Sequence, residues 1–377
     1  MSEQQPRIGL SRRALVASAS VAVVGAGAAA LSSVNQPTAP AATLRARRTL
    51  RLVTSWPRSF PGLGTSVERL ANRIAATSEG ALAVRIFAAG ELAPANSVLA
   101  AVAEGKADLY HSAEYYWRDR HPGFSFFSSV PFGLTADEMN AWLHFGGGQA
   151  LWNELSARFN IKPFACGNTG CQMGGWYKRP IRSLADFKGL RIRIPGLGGE
   201  VAARLGAAPV TLAGGDIQMA LRDGQIDAAE WIGPWNDVAF GLHKAAKNYY
   251  GPGFQEPGST LSLGMNLDLW RQLDPASRAI IAQAAEAENM LMQAEYNYRN
   301  AMALQTLETD FGIRAQPFPD DVLDAARAAS GALLARIGSL DELTGRIYGS
   351  FFSARKLLDG WTRISEQAYL QARGTEA

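Results

Sequence analysis

A chain of 377 residues, 47% of them hydrophobic, is long enough to build two lobes, each with its own core. Its 37 basic and 34 acidic side chains leave a formal charge of +3, which falls to +1 without residues 1–41 and their three basic and one acidic side chains. A balance so near zero excludes an electrostatic argument for a nucleic-acid or membrane-surface partner.

Arg12 and Arg13 stand before an apolar stretch of Ala, Val, Gly and Ser over residues 14–31, and Ala39-Pro40-Ala41 offers a small-residue cleavage site. This resembles a twin-arginine export signal ending at residue 41, with Leu15 and Val16 where such signals favour Phe and Lys. The alternative is a membrane anchor, for which the stretch is only just long enough. After an arginine-bearing linker over 42–48, the pattern predicts a strand at 49–56, a helix at 62–80 and a strand at 81–90. A helix near 94–104, a strand at 108–116, helical material at 135–159 and a strand at 161–167 follow. Such alternation reads as an α/β chain with a sheet in each lobe.

An internal echo supports two lobes. Residues 98–112 and 217–231 both run amphipathic helix, Gly, Asp, strand, with Gly105 answering Gly224 and Asp108 answering Asp227. Each Gly is expected to end its helix in a left-handed conformation. Residues 275–310 contain no Gly and no internal Pro. Apolar side chains at Ile281, Ala285, Ala287, Leu291, Ala294 and Tyr298 predict one helix of about 50 Å, long enough to span both lobes. A tail helix over about 341–372 gathers Tyr348, Phe351, Phe352, Leu358, Trp361 and Ile364 on one broad face, which either docks on its own lobe or pairs with a second subunit.

Cys166 and Cys171 lack thioredoxin spacing, and a disulfide or two free thiols fit them equally. The four histidines, 111, 121, 144 and 243, have no ligand spacing and read as packed or surface side chains. Residues 195–206 approach a dinucleotide fingerprint and fail it at Val201; serine-hydrolase, phosphate-loop and zinc-protease patterns do not occur. What remains is polar chemistry in apolar, turn-rich settings: Gln172, Arg193 at the end of a strand, Glu230 beside Trp231, and Glu256 between two turns. A buried carboxylate at Glu230 costs several kcal/mol unless something positive meets it.

From about residue 50 to 338, the stretches SWPRSFPGLG, VAEGKADLYHSAEYYW, GNTGCQMGGWYKRP, SLADFKGLRIRIPG, QMALRDGQIDAAEWIGP and FQEPGSTLSLGMN resemble the solute-binding subunits of tripartite ATP-independent periplasmic (TRAP) transporters. They are most similar to the branch that binds 2-oxo monocarboxylates such as pyruvate. The resemblance implies a two-lobed periplasmic binding protein, with lobe I at 49–170 plus 259–300, lobe II at 171–258 plus 301–338, and a C-terminal helix at 339–377 that serves dimerisation. It implies that Arg193 holds the substrate carboxylate, that Gln172, Glu230, the backbone carbonyl of Trp231 and Glu256 surround a Na+ or Ca2+ ion shared with the substrate, and that Trp56, Phe60, Tyr115 and Tyr116 supply walls. TRAP membrane subunits would be the partners, and no catalysis is expected. Many members of the family carry a second arginine near position 172; the amide here favours a chelated small acid over an acidic sugar. The alternatives are a 2-hydroxy acid, polyol or sugar acid as ligand, or, in a different class, an exported redox enzyme using Cys166 and Cys171.

Overall fold

A computed structural model describes residues 47–374; the stretch read as an export signal and most of the segment read as a linker lie outside the described residues. Eleven strands occur among them: β1 (Arg48–Thr54), β2 (Leu82–Phe87), β3 (Leu109–Ser112), β4 (Ile161–Asn168), β5 (Gly175–Tyr177), β6 (Arg191–Arg193), β7 (Ala208–Val210), β8 (Ala228–Ala229), β9 (Asn248–Gly251), β10 (Thr260–Asn266) and β11 (Ala315–Pro317). They form two sheets, ordered β2-β1-β3-β10-β4 and β11-β9-β5-β8-β6-β7. Each lobe is therefore a mixed sheet covered by helices.

The sequence echo has a topological cause. In the first sheet β2, β1 and β3 run parallel and β10 antiparallel. In the second, β7, β6 and β8 run parallel and β5 antiparallel. Gly105 and Gly224 both take left-handed φ, 74° and 77°, where the chain leaves a helix to enter the third strand of the set. Asp108 then accepts from the backbone N, Nε and Nη2 of Arg51 at 2.7, 3.1 and 3.0 Å. Asp227 accepts from the same three atoms of Arg191 at 3.2, 2.9 and 2.7 Å. Each aspartate thus ties the mouth of one strand to its parallel neighbour, a job any βαβ unit with an edge-facing arginine can assign to an acid.

Two expectations need correction. The strand read over 108–116 stops at Ser112, and Glu114–Trp117 curl into a 3₁₀ turn. The buried Glu114 carboxyl draws them in by accepting from Tyr110 Oη at 2.8 Å and Trp117 Nε1 at 3.0 Å. The helical stretch over 135–159 is two helices, Ala136–Phe145 and Gly148–Ala157, broken where Gly147 takes φ 83°.

The long helix spans Pro275–Phe311, capped by the Asp274 side chain accepting from Ser277 N at 3.0 Å and stopped by the left-handed Gly312. Its buried face is Ile281, Ala284, Ala285, Glu288, Asn289, Met292 and Tyr296, whereas Tyr298 is 70% exposed. Apolarity alone misplaced the face because Glu288 and Asn289 are satisfied inside. Arg69 Nη2 donates to Glu288 Oε1 at 2.6 Å, and Gly167 N donates to Asn289 Oδ1 at 3.1 Å. Gly167 belongs to β4; further along, Tyr296 Oη donates to Asn236 Oδ1 at 2.6 Å and Trp235 N to Asn300 Oδ1 at 3.0 Å, so one rigid rod contacts both lobes.

The tail helix Glu342–Thr362 docks through Phe351, whose ring sits 5.4 Å from Phe126 and 5.1 Å from Trp142. Its apolar face is divided: Phe351 is buried, while Trp361 and Ile364 are 65% and 75% exposed. No helix among the described residues is long and apolar enough to cross a membrane. Both cysteines are free, Cys166 facing the core of β4 and Cys171 standing exposed in the turn beyond it.

Candidate functional site

Strand ends assemble the site. Arg193 is the last residue of β6 and pairs in register with Ala229, the last residue of β8. Glu230 N donates to Arg193 O at 2.9 Å, which sets the two side chains side by side. Arg191, two residues earlier on the same face, stays at the surface with Asp227, so Arg193 alone of the pair reaches the interior. The turn after β9 closes the other side: Gln172 N donates to Glu256 O at 3.0 Å, and Gly253 N donates to Gln172 O at 2.7 Å. A Cβ at Gly253 would lie 2.6 Å from Gln172 O, so only glycine permits this approach.

Gln172, Arg193, Glu230, Trp231 and Glu256 are all buried, Glu230 completely. Arg193 Nη1 donates to the Glu230 backbone oxygen at 2.6 Å and lies 3.4 Å from Glu230 Oε2, while its guanidinium carbon sits 5.0 Å from the centre of the Trp231 ring. Gln172 Nε2 donates to Glu256 Oε2 at 2.9 Å and to Thr169 Oγ1 at 3.0 Å, leaving Gln172 Oε1 aimed inward. Gln172 Oε1, Glu230 Oε1 and Gln255 Oε1 are buried oxygens with no hydrogen-bond partner. These buried oxygens without donors, one of them on the carboxylate that Arg193 meets, form a set short of positive charge.

The electrostatics agree. Burial, then the Glu256 charge, pushes the Glu230 carboxyl well above its ordinary range, with Arg193 opposing. Burial raises Glu256 to about 7. Asp237 supports the floor at about 6, again through burial, while accepting from Trp176 Nε1 and Tyr249 Oη at 2.9 Å each. Among the described residues no three His, Cys, Asp or Glu side chains converge as a metal cluster. The oxygen set here instead mixes two carboxylates with amides, which suits a hard ion of the Na+ or Ca2+ kind and not zinc.

A cavity of about 310 Å³ is lined by Arg193 and Trp231 of this set, with Gly214 beside them on the second lobe and Tyr115, Tyr116 and Arg118 on the first; Gln172, Glu230, Gln255 and Glu256 are buried and do not line it. The Trp231 indole stands on Gly214, where a Cβ would come within 2.5 Å of the ring. Phe60 and Trp56, expected as walls, do not line this space. Phe60 packs behind Trp231 and Phe240, its centroid 6.4 and 4.4 Å from theirs, and Trp56 Nε1 donates to His111 Nδ1 at 2.8 Å. Burial holds His111 neutral, with a pKa near 4, against the opposing pull of the Cys166 carbonyl 3.0 Å from Nε2, and the ring serves as a packing group. Gln255, Thr169 and Arg118 were not legible: Gln255 adjoins Glu256 in the chain, yet only the fold turns its carbonyl inward.

Residues 52–339 match the model of the bacterial extracellular solute-binding protein family 7. Over 319 residues, 85% of this chain and 87% of the relative, the chain is 41% identical to a monocarboxylate 2-oxoacid-binding periplasmic protein of Nostoc sp.. A TRAP transporter solute-binding protein of Bordetella bronchiseptica, solved as a mixed-occupancy dimer with copurified calcium and picolinate in one site, superposes with a TM-score of 0.85 at 36% identity, covering 87% of this chain and 97% of that one. A TRAP periplasmic solute-binding protein of Pseudoalteromonas atlantica with bound sodium and pyruvate superposes with a TM-score of 0.83 at 35% identity, covering 86% and 99%. Fold and sequence agree, and this chain belongs to the bacterial extracellular solute-binding protein family 7, as a binding protein of the TRAP type.

Proposed function

We propose that this protein captures a small 2-oxo monocarboxylate such as pyruvate together with one cation and delivers it to TRAP membrane subunits. The observation that carries the reading is a pair of buried carboxylates, Glu230 met by Arg193 and Glu256 by Gln172, with the partnerless amide oxygens of Gln172 and Gln255, where Arg193 and Trp231 line a cavity. Arg193 holds the ligand carboxylate, its fork matching both oxygens. Gln172, Glu230, the Trp231 backbone carbonyl and Glu256 hold the cation, which when bound supplies positive charge to the 2-oxo and carboxylate oxygens. Tyr115 forms a wall, and Phe60 supports Trp231 from behind. Two glutamates, one arginine and a monoacid sum to −2, which a divalent ion cancels and a monovalent one halves. The relatives' ligands, calcium with picolinate and sodium with pyruvate, support either ion. Nothing in the set is arranged as a nucleophile with its base, so binding and not turnover is the proposed activity.

Closure would turn on the crossings near residues 170, 258 and 300, with lobe I at 49–170 plus 259–300 and lobe II at 171–258 plus 301–338. Export through the twin-arginine-like segment to the periplasm, with cleavage near residue 41, belongs to the same proposal. So does a homodimer through the tail, because Leu357, Trp361, Ile364 and Leu370 expose 53–76% of their surface on a helix already half docked. Light scattering on the full mature chain is expected to give a dimer, and a chain ending before Leu357 a monomer. Equal masses for the two would remove the tail from the interface.

The test of the binding reading is intrinsic tryptophan fluorescence during pyruvate titration, with the cation stripped and then restored. A saturable change that vanishes on stripping and returns with one ion supports the site; no change under any condition refutes the chelated acid. A pH series adds a second readout. Glu230 and Glu256 both hold protons more tightly folded than unfolded; for Glu256 the stability this brings is complete below the ordinary value of 4.5 and lost as pH rises through about 7, and Glu230 adds a contribution of the same sign. The stripped protein is therefore expected to melt lower near pH 8 than near pH 5.5, and calcium to raise the melting temperature more at the higher pH. A calcium increment independent of pH would remove these carboxyls from the site.

A further inference from the structure

Arg118 stands at the cavity mouth on the first lobe, immediately after the 3₁₀ turn Glu114–Trp117 that presents Tyr115 and Tyr116. Its contacts reach the other lobe. Nη1 donates to Gly196 O at 3.0 Å and to Glu200 Oε1 at 2.8 Å, both on the helix Gly196–Arg204. That helix begins three residues after Arg193, with only Ile194 and Pro195 between. Glu200 is held on its own lobe by Arg204 Nη1 at 3.5 Å and Arg336 Nη2 at 3.2 Å, so the carboxylate is positioned before the first lobe arrives. Asp119, 92% exposed, lies 3.6 Å from Arg118 Nε and is the other charge facing it.

We propose that Arg118 is a latch across the cleft: its bonds to Gly196 and Glu200 keep the lobes together over a bound ligand and so set how slowly that ligand leaves. The inference rests on the binding reading above and adds to it a residue that touches neither cation nor carboxylate. Arg118 and Glu200 are each a little over a quarter exposed, so the ion pair alone is modest; the backbone oxygen of Gly196 adds a second charge-assisted bond in the same grip. Because both bonds form only when the lobes meet, their loss acts on dissociation and leaves encounter nearly untouched. Both also fasten the segment that carries Arg193, which links closure to the grip on the ligand.

The experiment is stopped-flow tryptophan fluorescence of the full mature protein with pyruvate in saturating calcium, for wild type, Arg118→Met, Glu200→Gln and the double variant, beside melting of each ligand-free protein. Arg118→Met is expected to raise koff about tenfold with kon changed less than about twofold. Glu200→Gln should do part of the same, and the double variant should be no faster than Arg118→Met, because the two side chains make one contact. Melting without ligand should stay where it was. An unchanged koff in Arg118→Met, effects of the two substitutions that multiply, or a melting loss that tracks koff would each overturn the latch. Should wild type itself give no saturable signal with pyruvate under any cation, the binding reading fails and the latch with it; wild-type binding with an unchanged koff in the variant removes the latch alone.

Discussion

Glu230→Gln is expected to raise the Kd for pyruvate by about a hundredfold or more and to flatten its dependence on calcium, while raising the melting temperature of the cation-free protein near pH 8. The substitution keeps shape and removes one of the two negative charges that offset the cation. The same charge, fully buried with Oε1 partnerless, opposes folding when no cation is present, because it must either stay desolvated or hold a proton that solvent at that pH would take. Loss of binding with a gain in stability is a combination that a misfolded variant cannot produce. Isothermal titration with pyruvate and calcium, beside thermal melting, reads both. Pyruvate binding within about threefold of wild type would take Glu230 out of the ligand set.

Arg193→Ala is expected to weaken pyruvate by a comparable factor, about a hundredfold, with the opposite effect on the cation. Taking away the guanidinium leaves Glu230 and Glu256 without their nearest positive charge, so calcium titrated in the absence of pyruvate should bind as well as in wild type or more tightly. The cation-free variant should also be less stable near pH 8, since Arg193 Nη1 no longer meets the Glu230 backbone oxygen or its carboxylate. Arg193→Lys should recover only part of the pyruvate affinity, because a point charge cannot replace a fork stacked 5.0 Å over the Trp231 ring. A lysine variant that binds pyruvate like wild type would mean that the carboxylate is read elsewhere. Weaker calcium binding in Arg193→Ala would mean that the arginine orients the cation site, not the substrate.

The opposite signs expected for calcium separate the two residues, although 2.6 Å of hydrogen bond joins them. On the proposed reading, Glu230 is tolerated in the interior because of the cation it holds, and Arg193 because of what Glu230 and the ligand give back. Neither role can be filled by packing. Both depend on a shared low-dielectric floor that Asp237 and its tryptophan and tyrosine donors keep in place.

Much of this was legible in the chain itself. Alternation of helix and strand, the paired Gly and Asp of the echo, and a glycine-free run from 275 to 310 followed from local chemistry: left-handed glycines and periodic apolar residues. Arg193, Glu230, Gln172 and Glu256 could be singled out because polar side chains in apolar, turn-rich stretches are costly wherever they fall, and a motif resemblance gathered them. The sequence by itself thus determined the α/β class, most of the elements it named, though not all their bounds, and which residues must be accounted for. What only the tertiary structure decided was which faces and which atoms meet. The long helix turned Glu288 and Asn289 inward against the apolar rule because Arg69 and a β4 amide wait there. Phe60 went behind Trp231 instead of into the cavity, Arg118, unremarkable in the chain, was carried to the cleft mouth, and Gln255 was buried with its side-chain oxygen unpartnered. Hydrogen bonds and buried charge are satisfied between residues tens of positions apart, and periodicity carries no information about partners at that distance.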